Sequence, residues 1–398
     1  MKKIYYFDNN ATTRVHDEVK KEMEPFFTKL YGNPSSMHFF GGQVQKYVDE
    51  SRKKISLLLG CLPEEIIFTS CGTESDSTAI YSALKVNPDK KHIITSAVEH
   101  PAVINLCKHL ETQGYSVTYL NVNEDGMIDI NDLKSAIRPD TAVVSIMWAN
   151  NETGVIFPVE EIADICHEKG VLFHTDAVQA AGKIDIDLSK NKIDMLSISG
   201  HKLHSPKGIG VLFVRKGVKF APFLLGGHQE RGRRAGTENV PYIVGLGKAS
   251  EIALANMQKE NDYVRKLREK LERGLVEKIP NTRINGLKSP RLPNTLSISF
   301  GFVEGESIIM LLSEKGICAS TGSACSSGSL EPSHVLMAMK IPFTHAQGTV
   351  RFSLSIYNTE EEVDYILKVM PDVIKRLREI SAFNDETPQF ENAKDIHH

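Results

Sequence analysis

The chain has 398 residues, 41% hydrophobic and 24% charged, with a formal net charge of −3. That length can bury more than one core, and the charge balance offers no electrostatic footprint for nucleic acid or an anionic membrane. No apolar run approaches a membrane span, and the opening Met1-Lys2-Lys3-Ile4-Tyr5-Tyr6-Phe7-Asp8 meets an acid too early for a signal peptide, so a cytoplasmic protein is expected.

From about residue 45 to 250, strand-like runs alternate with helix-like runs. Strands are read at 65–70, 92–96, 116–120, 142–148, 171–176, 195–199 and 210–214. This rhythm predicts an α/β fold with a mostly parallel seven-stranded sheet and helices on both faces. Beyond Pro241, the residues Val264, Leu267, Leu271, Leu275 and Ile279 recur at helical spacing among charges, which predicts one long amphipathic helix. Short strands follow at 294–300, 316–319 and 350–354, then a helix opened by Thr359 with Glu362 completing a capping box. A large domain over 16–250 is expected, with a smaller α+β domain from 1–15 and 251–383 and a disordered polar tail over 384–398. The N-terminal arm is expected beside the crevice between the domains.

Two of the strand-like runs end on chemistry. One closes on Asp176 and the other runs into Ser199-Gly200-His201-Lys202. The stretch between them is long enough for a crossover, so the strands can be parallel. Their carboxyl ends would then face the crevice where open α/β sheets bind ligands. A Lys and an Asp delivered there are what a pyridoxal phosphate (PLP) enzyme needs: an amine for a Schiff base, and a carboxylate that keeps the pyridine nitrogen protonated. The plainer alternatives are a solvated loop Lys and an Asp that caps a helix.

Other segments fall at the same sheet edge. Thr69-Ser70-Cys71-Gly72-Thr73-Glu74-Ser75-Asp76 reads as a strand end, a tight turn and a helix start, with Thr73 and Asp76 resembling a capping box. Amides at such a terminus, with the Thr73 hydroxyl, make a seat for a phosphate. Ser199 and His201 could close it from the other side. His100 could stack on a PLP ring and move protons. Asn151 could donate to the ring oxygen, or could be a plain turn Asn.

The six cysteines, Cys61, Cys71, Cys107, Cys166, Cys318 and Cys325, form no C-x-x-C pair, so no metal site is expected. Cys325 differs from the rest. It sits in Ser320-Thr321-Gly322-Ser323-Ala324-Cys325-Ser326-Ser327-Gly328-Ser329, small and polar throughout. Such a loop suits a mobile segment that carries a reactive thiol in and out of a site. Arg351, in a strand-like run, could grip a substrate carboxylate bidentately or form an ordinary surface ion pair.

Taken in order, these segments resemble the cysteine desulfurases of the NifS/IscS family, fold-type I PLP enzymes of the class V aminotransferase group, and most closely the NifS-type branch. The resemblance runs from Tyr6-Phe7-Asp8-Asn9-Asn10-Ala11-Thr12-Thr13 and Gly32-Asn33-Pro34-Ser35-Ser36 to His174-Thr175-Asp176-Ala177-Val178-Gln179 and Ser199-Gly200-His201-Lys202. It continues through Arg234-Ala235-Gly236-Thr237 and Gly322-Ser323-Ala324-Cys325 to Arg351-Phe352-Ser353-Leu354. One departure is Ser205, where the family often has Gly.

The resemblance implies that Lys202 carries PLP, Asp176 meets the ring nitrogen, Asn151 and Gln179 meet the ring oxygen, and His100 stacks on the ring. Gly72, Thr73, Ser199 and His201 would hold the phosphate, joined by Thr237 from the other subunit of a homodimer. Arg351 and Asn33 would bind the substrate. Cys325 would take sulfur from L-cysteine as a persulfide, leave L-alanine, and pass the sulfur to an iron–sulfur scaffold or another acceptor protein. The rival readings are a selenocysteine lyase or an aminotransferase on the same fold, and a catalytically silent scaffold that binds sulfur carriers.

Overall fold

The computed structural model describes residues 3–321 and 332–381. Cys325 and the tail expected over 384–398 lie outside the described residues.

Seven strands form the large sheet. Their spatial order is Ile66–Thr69, Gly210–Val214, Met195–Ser199, Leu172–Asp176, Thr141–Ser145, His92–Ser96 and Ser116–Leu120. Pairings are parallel from Met195–Ser199 to the Ser116–Leu120 edge. Gly210–Val214 alone runs against its two neighbours. Its link from Ser199 is a short loop, too short for the crossover that a parallel neighbour needs. Most of these strands are buried along their whole length because helices cover both faces, which is why they read as apolar runs and not as alternating ones.

A second sheet is antiparallel, with Thr295–Phe300 between Thr349–Ser353 and Thr282–Ile284. The arm strand Tyr5–Tyr6 pairs with Ile317–Cys318. Neither Tyr5–Tyr6 nor Thr282–Ile284 is legible in the sequence, because two or three residues carry no periodicity. The long helix is Val240–Lys278. Its first half packs against the helix Phe39–Leu59, where the backbones come so close that a Cβ on Gly247 would sit 2.6 Å from Ser51 Cβ. Its second half enters a separate apolar cluster with Phe7, Phe300, Phe352 and Ile366. The capping box at Thr359 is present: Thr359 Oγ1 accepts from the Glu362 amide and Glu362 Oε2 accepts from the Thr359 amide. Among the described residues no helix is long and apolar enough to cross a membrane.

Candidate active site

The parallel strands Leu172–Asp176 and Met195–Ser199 end at one sheet edge, with Asp176 in register with Ser197. Beyond Ser199 the chain enters one 3-10 turn, Gly200–Lys202. Only a glycine fits at position 200, since a Cβ there would lie 2.7 Å from Ile209 Cγ2. The turn lifts Lys202 over the edge. Its Nζ donates to the Ala11 carbonyl at 2.7 Å and also to the Asn10 carbonyl. Burial, then the charges of Arg351 and Lys183, pull this amine down to about 7. Burial pushes Asp176 up, opposed by the Val178 amide, which donates to its Oδ1 at 2.8 Å, and by Lys202.

Both side chains line one cavity of about 260 Å³. Gly72, Thr73, His100, Asn151, Gln179, Ser199, His201 and Arg351 line it too. Asn33 and Thr237 do not. Both are exposed, and the Asn33 Oδ1 is occupied by the Ser35 amide at 2.9 Å. Seven further lining residues escaped sequence reasoning as site residues: the polar or backbone-presenting Asn10, Ala11, Cys71 and Asp76, and the apolar Met147, Ala149 and Val178.

The helix Gly72–Val86 starts from extended Cys71, so Thr73 lies inside the first turn and is not its cap. The capping box expected of Thr73 and Asp76 is therefore absent. Instead Glu74 Oε2 takes the Ser70 amide at 2.7 Å, while Glu74 Oε1 is held by Arg234 Nε at 2.9 Å. This leaves the first helix amides, which have no carbonyl one turn back, facing the cavity. Gly72 gives close backbone approach there: a Cβ would meet Val178 Cγ2 at 2.8 Å.

His100 caps the helix Pro101–Thr112, its Nδ1 accepting from the Ala102 amide at 3.1 Å. The ring hydrogen is thereby assigned to Nε2. Burial, with Lys202 and His334 nearby, pulls the ring down to about 4, so it is neutral near pH 7. Gln179 spends its Nε2 on the Asn10 carbonyl at 3.0 Å and keeps a buried Oε1 that has no partner among the described residues. Arg351 is buried in the strand Thr349–Ser353 and makes no surface ion pair. Its Nη2 meets Asp8 Oδ1 at 2.7 Å, its Nη1 the Asn151 carbonyl at 2.9 Å, and its Nε has no partner among the described residues.

These groups fit PLP. The cavity offers one primary amine, a buried carboxylate, a cup of helix amides with the Thr73 and Ser199 hydroxyls, and unpartnered polar atoms on Gln179 and Arg351. The chemistry of this donor set matches a phosphorylated pyridine aldehyde, and the glycine cradle leaves room for the phosphate.

Known proteins agree. The family model described as "Aminotransferase class-V" matches residues 5–366. A cysteine desulfurase of Trichormus azollae is 56% identical over 96% of this chain and 96% of its own length. The cysteine desulfurase NifS of Azotobacter vinelandii is 55% identical, covering 95% of this chain and 94% of its own. A solved structure titled "NIFS-LIKE PROTEIN" superposes with a TM-score of 0.87 at 43% identity, covering 94% of this chain and 99% of the other. The chain therefore belongs to the class V aminotransferases and, within them, to the PLP-dependent cysteine desulfurases.

Proposed function

We propose that this enzyme converts L-cysteine to L-alanine with Lys202 as the amine that carries PLP, Asp176 as the partner of the ring nitrogen and Cys325 as the sulfur acceptor. The observation that carries the reading is the meeting of the Lys202 amine and the Asp176 carboxylate in one cavity beside a glycine-lined helix start. When bound, PLP supplies an electron sink for charge that develops on the substrate.

The chain's own residues do the rest. Gly72, Thr73, Ser199 and His201 hold the phosphate, and Asn151 and Gln179 face the ring oxygen. Arg351 binds the substrate carboxylate beside Asp8. Lys202 moves protons near neutral pH, where its lowered basicity leaves part of it uncharged. His100 stacks on the ring and offers its Nε2 hydrogen toward the cavity. The Cys325 thiolate attacks the substrate sulfur. The carbon–sulfur bond breaks with its electron pair left on carbon, which is then protonated, and Cys325 keeps the sulfur as a persulfide. An iron–sulfur scaffold or another acceptor protein then takes it up, in the cytoplasm. The same reading divides the chain into units over 16–250 and over 1–15 with 251–383. The apolar cluster around Phe7, Phe300, Phe352 and Ile366 supports the smaller unit, although the helix Val240–Lys278 runs through the boundary and Leu292, Val335, Leu336 and Met339 pack into the core of the larger one. Alanine and sulfide released from L-cysteine, against amino transfer to a keto acid or a strict preference for selenocysteine, test the function.

Asp176→Asn is expected to keep part of its cofactor yet lower kcat by roughly two orders of magnitude or more, because a neutral amide cannot hold a ring-nitrogen proton as a carboxylate does. An unchanged kcat means the carboxylate has another role.

Thr237, exposed and outside its own chain's cavity, would reach the phosphate of the other subunit across a homodimer interface. PLP affinity is then coupled to dimerisation, since a ligand that binds only the assembled form stabilises it. Titrating PLP into diluted protein tests this, and a fully active monomer refutes it.

A further inference from the structure

Asp76 lies one turn beyond Gly72, so the two share a helix face, and both line the cavity. Asp76 is 1% exposed, and its Oδ1 has no hydrogen-bond partner among the described residues. His174 Nε2 is 3.6 Å from that oxygen but is no counter-ion. Its ring nitrogens lie 2.9 Å from Ser145 Oγ and 2.9 Å from Ser197 Oγ, and burial drives it down to about 3, so it is neutral.

The other groups around Asp76 come from four elements. Asp176 ends its strand, Glu99 follows His92–Ser96, Cys71 precedes the helix, and Ser197 lies on the neighbouring strand. None is a cation. Burial foremost, then Asp176, Glu99 and Cys71, raise Asp76 well above the carboxylate range, and the Ser197 hydroxyl only partly opposes them. Two carboxyl groups in one dry site do not both ionise. Asp176 has a backbone amide and Lys202 to favour its charge. Asp76 lacks both, so of the two carboxyl groups Asp176 is the one its surroundings favour in the charged form.

We propose that Asp76 is a positioning residue whose carboxyl O–H donates to the Asp176 carboxylate, directly or through one water, and so orients the oxygen that meets the cofactor's ring nitrogen. This rests on the role given to Asp176 above. It assigns a function to an acid that otherwise reads as a helix cap.

The test uses the full-length apo-protein. Infrared difference spectra at pH 7 between wild type and Asp76→Asn should show the loss of one protonated-carboxyl band. Glu99, also raised by burial, is present in both and cancels. PLP binding by fluorescence titration then separates donor from bulk. Asp76→Asn keeps an N–H donor and should bind within about threefold of wild type, whereas Asp76→Leu, of similar size without a donor, should bind about tenfold more weakly or worse. Circular dichroism and melting check that both variants fold. The inference is overturned if no band is lost, if folded Asp76→Leu binds like wild type, or if Asp76→Asn falls as far as Asp76→Leu. A wild type that takes up no PLP overturns the cofactor reading itself, which the other outcomes leave standing.

Discussion

Lys202→Ala is expected to abolish alanine release from L-cysteine and to leave a protein that loses PLP on washing. Among the described residues no other lysine lines the cavity that holds Lys202 and Asp176. Lys183, half-buried, gives its Nζ to the Gln179 carbonyl at 3.1 Å and does not line that cavity. The variant should fold, because an alanine removes a buried charge without opening a helix or strand. It should also change how the apo-protein responds to pH. Lys202 titrates at about 7 when folded and at about 10 when unfolded, so between those values the unfolded chain binds more protons. Its contribution to stability therefore rises with pH across that window and is lowest below it. Melting temperatures of wild-type apo-protein should reflect this rise from about pH 7 to 10, and Lys202→Ala should flatten it. Wild-type alanine release by the variant would end the assignment.

Cys325→Ser is expected to separate binding from sulfur transfer. The cavity that would hold PLP is built from other residues, so PLP and L-cysteine should still bind. A serine hydroxyl keeps its proton and attacks sulfur poorly, so alanine production should fall about a hundredfold or more, with no persulfide on the protein. The other five cysteines should be dispensable one at a time. Burial pushes Cys61, Cys107 and Cys166 up to about 12, which keeps them as thiols. Cys318 is raised as well, by burial and by Asp8. Cys71 is the sharpest control, because it lines the cavity beside Gly72. Mass spectrometry after one turnover should find the added sulfur on Cys325. Sulfur on Cys71 or Cys318 would show that the acceptor has been misassigned.

Asp176 and Lys202 were legible in the sequence because their signals are local. Each follows a buried run of strand length, and the side chain at the end of a parallel strand is delivered to the ligand-binding edge wherever the rest of the chain goes. The long helix and the Thr359 cap were legible for the same reason: periodicity and end chemistry lie within a few residues. What the tertiary structure alone decided is which distant groups share one dry space. The Asn10 and Ala11 carbonyls hold an amine some 190 positions away in the chain. Arg351, on a strand that reads like any other, is buried against Asp8 of the N-terminal arm. Asp76 follows the local pattern of a helix cap, yet it turns inward because the helix begins at Gly72, one residue before Thr73, and aligns Asp76 with Gly72. Residue type and spacing specify the elements. Charge, protonation and hydrogen bonding in the cavity depend on burial and on partners from other segments, and those exist only after the elements pack.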